Sequence, residues 1–359
     1  MFLERECLDP AQDRQDEPML NLDRIKTNLL EKKTNLMAWL ASADEAEVQT
    51  HAGLAGPAAV AQHVAHLDEA IQKAEAGTLG MCTVCHDAVD TPLLEMDYTA
   101  CVCLSHLPES EMRQLERELE LASIVQRSFF PQTLPNIPGL ELAAYSQPAQ
   151  IVGGDYFDVL HFADGAHGLV IADVAGHGVA SGLHMASVQT ALRTLVPLCE
   201  TPVEVLERIN RLYSHNINFT SFVTLFVGKF ETGGYFTFSN AGHNPPLLFR
   251  QNPVGGERHW LEPTGAAIGL VEDIGLRSQR VKLEAGDALL LYTDGVTEAI
   301  SPAREQFGVE RLAHSIQRTA GLSARDLVQA LRQDLQAFTA DRPPADDTTI
   351  FACRVLTTP

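Results

Sequence analysis

Two apolar runs in this chain stop at an aspartate and a glycine-containing turn, and two further aspartate clusters flank them. Leu169-Val170-Ile171-Ala172 leads into Asp173-Val174-Ala175-Gly176-His177-Gly178, and Ala288-Leu289-Leu290-Leu291-Tyr292 leads into Thr293-Asp294-Gly295. Upstream lies Gly153-Gly154-Asp155-Tyr156-Phe157-Asp158, and near the end Ala345-Asp346-Asp347-Thr348-Thr349. Continuous apolar runs of this length read as buried strands. Carboxylates at the ends of distant strands can converge on one site, where their repulsion calls for a cation. A hard divalent cation needs several oxygen ligands, more than one loop readily supplies.

The four clusters, in this order and spacing, resemble the metal-dependent protein phosphatase (PPM) fold, and most closely its bacterial SpoIIE/RsbU-type branch. The most specific strings are Val152–Asp158, Ile171–Gly178, Asn240-Ala241-Gly242-His243-Asn244-Pro245-Pro246 and Tyr292–Ala299, within a resemblance running from about Leu115 to Val355. It implies two central antiparallel sheets flanked by helix pairs. It also implies catalytic and metal-holding roles for Asp155, Asp173, Asp294 and Asp346, with a carbonyl from Val174. Asp347 competes with Asp346 for the last ligand position. Two Mn²⁺ or Mg²⁺ ions are the implied cofactors, since all-oxygen ligation suits hard cations. Phosphomonoester hydrolysis then proceeds by metal-assisted attack of water, with no Cys or Ser nucleophile. Asp158, His177, His243, Asn244 and Glu298 each have both a structural and a functional reading. No arginine stands near Asp155 where many PPM members carry a phosphate-binding one.

Before these clusters the pattern is helical. Residues 1–17 are polar and read as a disordered tail. Leu20, Leu22, Ile25, Leu29, Leu30, Leu36 and Leu40, then Val60, Val64, Leu67 and Ile71, recur at helical spacing on either side of Gly53, Gly56 and Pro57. Two helices joined by such a loop predict an antiparallel hairpin within residues 18–107. Cys82-Thr83-Val84-Cys85, then Cys103-Leu104-Ser105-His106, gives a spacing that fits a structural zinc site. Ala70–Cys82 resembles the entry to a DksA/TraR-type zinc finger, with His106 in place of its last cysteine; Cys101 is a competing ligand.

A linker helix is expected over residues 108–130, opened by Pro108, Glu109 and Glu111 and stopped at Pro131. Met112, Leu115, Leu119 and Ala122 form its apolar stripe, which either pairs with a second chain as a homodimer or packs on the chain's own domain. The phosphatase domain spans 131–359, with strands at 140–147, 156–162, 168–174, 222–230, 235–239, 246–249, 280–283, 288–292 and 349–355. Helices are expected at 180–196, 203–215, 309–318 and 324–338. The fold class is α+β: an αββα sandwich preceded by a helical hairpin with a small zinc finger and a linker helix.

A net charge of −21, from 26 basic and 47 acidic residues, opposes nucleic-acid binding. No apolar run is long enough to span a membrane, and no secretory signal is visible, so a cytoplasmic protein is expected. The expected activity is protein serine/threonine phosphatase, regulated by the N-terminal region. Its substrate would be a phosphorylated regulatory protein, with an anti-sigma-factor antagonist of the STAS type suggested by the resemblance. The alternatives are a regulator that binds the transcription machinery and keeps its phosphatase domain as a scaffold, and a phosphatase of small phosphoesters.

Overall fold

The computed structural model describes residues 26, 29, 30, 33, 34, 37, 56–81 and 109–357, apart from 177, 215–221, 251–255 and 320. The expected tail at 1–17, the zinc-ligand region from Cys82 to His106, and His177 lie outside the described residues. The chain divides into two compact units, Met1–Leu115 and Glu116–Pro359.

In the first unit, helix α1 spans Gly56–Glu75 and buries Leu67, Ala70 and Ile71. The described residues between 26 and 37 are also helical. Lys26 pairs with Glu75 at 3.4 Å, and Lys33 pairs with Asp68.

The second unit stacks two five-stranded antiparallel sheets. One runs β1 (Leu140–Gln147), β10 (Thr348–Val355), β9 (Ala288–Tyr292), β6 (Leu247–Arg250), β7 (Glu257–Trp260). The other runs β2 (Asp155–His161), β3 (His167–Val174), β4 (Val223–Glu231), β5 (Tyr235–Ala241), β8 (Gln279–Lys282). Alternation decides which residue faces which layer. Phe157, Val159, Leu169 and Ile171 point between the sheets, against Leu289, Leu291, Phe351 and Cys353. Their neighbours Tyr156, Val170, Ala172 and Val174 face α3 (Val179–Leu195) and α4 (Pro202–Ser214). On the far side, Leu290, Tyr292, Ile350 and Ala352 pack on α6 (Gly308–Arg318) and α7 (Ala324–Thr339). Both faces of each sheet are therefore covered, which is why the strands read as unbroken apolar runs.

The expected strands and helices match these elements to within about two residues at their ends. The exception is β7, whose Glu-Arg-His-Trp is mostly exposed at a sheet edge and carries no apolar alternation to betray it. The one-turn helix α5 (Asp294–Thr297) was also not legible.

Helix α2 spans Glu109–Phe129. Leu119 and Ala122 are half-buried, and the same face continues into the buried Ser123 and Gln126; the side chains of Met112 and Leu115 are not among those described. Beyond its end, the Phe130 ring rests on Tyr156 and Phe157, with centroids 5.7 Å and 5.6 Å away. Leu121 and Ile124, at 61% and 65% exposure, occupy another face.

Candidate metal centre

Strand pairing brings the first two clusters together. Asp155 opens β2 and stands directly opposite Asp173 near the end of β3. On its other side Asp173 pairs with Thr224 of β4. From the second sheet, β9 delivers Asp294 through the buried Thr293, whose hydroxyl donates to Asp155 Oδ2 at 2.7 Å. The Thr349 N–H donates to the same hydroxyl at 2.9 Å, tying β10 into the junction.

The two C-terminal aspartates behave differently. Asp347 is buried and accepts the Ala149 N–H on Oδ1 (2.7 Å) and the Gly154 N–H on Oδ2 (2.5 Å). It thereby clamps the loop that precedes Asp155. A Cβ at Gly153 would lie 2.5 Å from Asp347 Oδ2, so a glycine is required there. A Cβ at Gly154 would lie 2.8 Å from the Val174 carbonyl, which places that carbonyl against the same loop. Asp346 is exposed, with one oxygen accepting only the Asp347 N–H at 2.8 Å.

Crowded carboxyls hold their protons. Burial and the Asp173 charge raise Asp155 well above the usual carboxylate range. Burial, then Asp294, Asp346 and Asp347, push Asp173 up to about 7. Burial, then Asp346 and Glu298, push Asp294 up to about 6. Burial also raises Asp347, against the pull of its backbone donors. Asp155 Oδ1 is buried with no hydrogen-bond partner. A buried carboxyl oxygen without a hydrogen-bond partner, beside other carboxyls whose ionisation a cation would favour, fits a cation ligand. As placed, the side chains are not drawn into a closed shell: among the described residues, no group of three or more His, Cys, Asp or Glu is positioned to hold a metal ion. The fit therefore rests on the donor chemistry: Asp155, Asp173, Asp294, Asp346 and the Val174 carbonyl offer the all-oxygen set that Mg²⁺ or Mn²⁺ takes.

These shifts set a pH signature. In the metal-free fold Asp173 and Asp294 hold protons up to about 7 and about 6. An unfolded chain releases them near 4. Their contribution to stability is therefore fully present below about pH 4 and is lost progressively as pH rises to about 6 for Asp294 and about 7 for Asp173. Metal-free protein should show a fall in melting temperature between pH 5.5 and 8 that is shallower by a few degrees in Asp173→Asn. Scanning calorimetry of both proteins in chelator checks this.

Several side chains around the site were not legible from sequence. Gln126 on α2 donates from Nε2 to the Gly153 carbonyl (2.6 Å) and accepts the Gly153 N–H on Oε1 (3.0 Å). A lone polar residue continuing an apolar helical face was the available sign. Asp158 proves structural in its contacts: Oδ2 accepts Tyr156 Oη–H (2.5 Å) and Arg193 Nε–H (2.9 Å). Arg193 also donates to the Phe129 carbonyl at 2.9 Å. Glu298 is exposed and stands close enough to raise Asp294; Asn244 is half-buried. Behind Asp155 a cavity of about 480 Å³ opens, lined by Ser123, Gln126, Arg127, Tyr145, Ile151 and Asp347 among others.

A two-sheet sandwich with acidic residues converging at strand ends defines the PP2C class of folds. The chain belongs to the SpoIIE family: the model described as Stage II sporulation protein E (SpoIIE) matches residues 163–356, more than half of its length. It is 29% identical over 187 residues to the phosphoserine phosphatase RsbU of Bacillus subtilis, covering 52% of this chain and 55% of that protein. Among solved structures, the SiaA-PP2C domain of Pseudomonas aeruginosa superposes with a TM-score of 0.60 at 21% identity, over 69% of this chain and 99% of that one. The RsbU and RsbW domains of Rv1364c from Mycobacterium tuberculosis give 0.52 at 32% identity, over 64% of each chain. The chain spans about half the length of the curated relatives it matches.

Proposed function

We propose that this chain is a metal-dependent protein phosphatase acting on phosphoserine or phosphothreonine of a regulatory protein. The observation that carries this reading is the convergence of Asp155, Asp173 and Asp294, mutually destabilised as anions and with one buried oxygen left without a donor. Divalent cations held there would lower the pKa of an attacking water and neutralise charge developing on the phosphoryl group. Asp155, Asp173, Asp294 and Asp346 are the ligands, with the Val174 carbonyl. Asp347, engaged by two backbone N–H groups, holds the loop instead. The phosphoserine phosphatase activity named for RsbU supports the substrate class. A partner of the STAS anti-sigma-factor-antagonist type remains the candidate substrate. A scaffold domain would have no use for carboxylates held together against their repulsion. The discriminating assay compares Mn²⁺-dependent kcat/KM on a phosphoserine protein and on a generic aryl phosphate. A marked preference for the protein supports the reading; equal use of both points to small phosphoesters, and no turnover of either to a scaffold.

Control through α2 belongs to the same proposal. The helix holds Gly153 by both backbone groups, two residues before Asp155. Gln126→Ala should raise the Mn²⁺ concentration for half-maximal activity by about 10-fold while turnover at saturating Mn²⁺ changes much less, since an orienting contact is lost and no ligand is. A metal titration of activity reads this directly.

For the N-terminal region we propose a structural zinc held by Cys82, Cys85, Cys103 and His106, in a DksA/TraR-like finger that serves regulation. Elemental analysis should find about one zinc per chain, retained in Cys101→Ser and lost in Cys85→Ser. Protein purified without chelators and free of zinc would contradict it. No helix among the described residues is long and apolar enough to cross a membrane.

A further inference from the structure

The Asn240–Pro246 segment takes no direct part in the acidic cluster, yet His243 within it is only 1% exposed. Its backbone is fixed by Asn240, whose Oδ1 accepts the His243 N–H (2.8 Å). Asn240 Nδ2 donates to the carbonyls of His243 (3.0 Å) and Leu261 (3.2 Å). The imidazole Nδ1 lies 2.9 Å from Thr224 Oγ1. Its Nε2 is buried with no hydrogen-bond partner, on the side of the Tyr292 backbone carbonyl.

These contacts assign the protons. Thr224 has one hydroxyl proton, and its other acceptor within reach, the Asp173 carbonyl, is 3.4 Å away. That distance is too long to compete with 2.9 Å. Thr224 therefore donates to Nδ1, and the ring proton falls on Nε2, toward Tyr292. Burial supports a neutral ring by lowering its pKa to about 3.

We propose that His243 is a positioning residue of the metal centre, setting the separation between the strand beside Asp173 and the strand that delivers Asp294. Thr224 on β4 is the register partner of Asp173, so its side chain shares a face with that carboxylate. Tyr292 ends β9 two residues before Asp294. The two strands belong to different sheets. A buried ring 2.9 Å from Thr224 Oγ1, on the segment that leads into β6, the strand paired with β9, resists their drifting apart under carboxylate repulsion.

This inference rests on the metal-dependent reading, and its test separates the two. Replacing His243 itself risks the fold, so the hydroxyl is removed from its partner instead. Thr224→Val keeps the volume, and Thr224→Ser keeps the hydroxyl. Calorimetric titration with Mn²⁺ should show binding weakened about 10-fold or more in Thr224→Val and within about 3-fold of wild type in Thr224→Ser, the scale typical of contacts that orient ligands. Metal-free melting temperatures of the two variants should agree to a few degrees, and imidazole ¹⁵N shifts of wild type should report the Nε2–H tautomer. Wild-type affinity in Thr224→Val, equal loss in both variants, or an Nδ1–H tautomer would overturn the positioning role. A wild-type protein that binds no Mn²⁺ would overturn the metal reading, and this inference with it.

Discussion

Asp173→Asn and Asp294→Asn are each expected to lower phosphatase turnover at least about 100-fold, because each removes one charge from a set that must hold divalent cations. The loss corresponds to about 2.7 kcal/mol or more of transition-state stabilisation. The fold should survive, and the metal-free variants should melt no lower than wild type at pH 8. In the unsubstituted protein, burial and three neighbouring aspartates hold Asp173 up to about 7, and burial with Asp346 and Glu298 holds Asp294 up to about 6. Removing one of these anions relieves repulsion. Purified variants assayed at saturating Mn²⁺, alongside melting curves in chelator, check both halves. Near-normal turnover in either would remove that residue from the site.

The second large effect separates the adjacent aspartates. Asp347→Ala strips acceptors from the Ala149 and Gly154 N–H groups at the buried entrance to β2. Each unsatisfied donor costs about 1–3 kcal/mol, so a loss of roughly 2–5 kcal/mol is expected, with a fall in melting temperature on the order of 10 °C. Activity falls with the loop that presents Asp155. Asp346→Ala should behave in the opposite way. Its carboxylate is exposed and accepts one backbone N–H at 2.8 Å, which water can replace. Melting temperature should stay within about 2 °C, while Mn²⁺ affinity and turnover drop by about 10- to 100-fold. Melting curves and calorimetric metal titrations of the two variants decide the assignment, and an exchange of the two phenotypes would reverse it.

Much of the sandwich was legible because both faces of each sheet are covered. Runs such as Leu169–Ala172 and Ala288–Tyr292 had to be buried strands, and an Asp at the end of such a run had to emerge at a sheet end. The registers were not legible. That Asp155 faces Asp173 across β2 and β3 is a matter of pairing, which apolar content alone does not specify. The division of labour between Asp346 and Asp347 was hidden for a related reason: the Ala149 and Gly154 N–H groups that engage Asp347 lie nearly 200 residues away. Gln126 and Thr224 act through a backbone and a ring contributed by other elements, and nothing in their own neighbourhoods announces that. His243 was readable as a structural residue of a Gly-Pro-rich loop, but its reach to β4 and β9 emerges only from the stacking of two sheets.

The most direct measurement is the release of inorganic phosphate from a phosphoserine protein as a function of Mn²⁺ concentration, in the wild type and in Asp173→Asn, with chelator-treated protein as the baseline. Hydrolysis at this site predicts no release in chelator, saturable activation by Mn²⁺ in the wild type, and at least about a 100-fold lower plateau in Asp173→Asn. Release that persists in chelator and is the same in both proteins would contradict it.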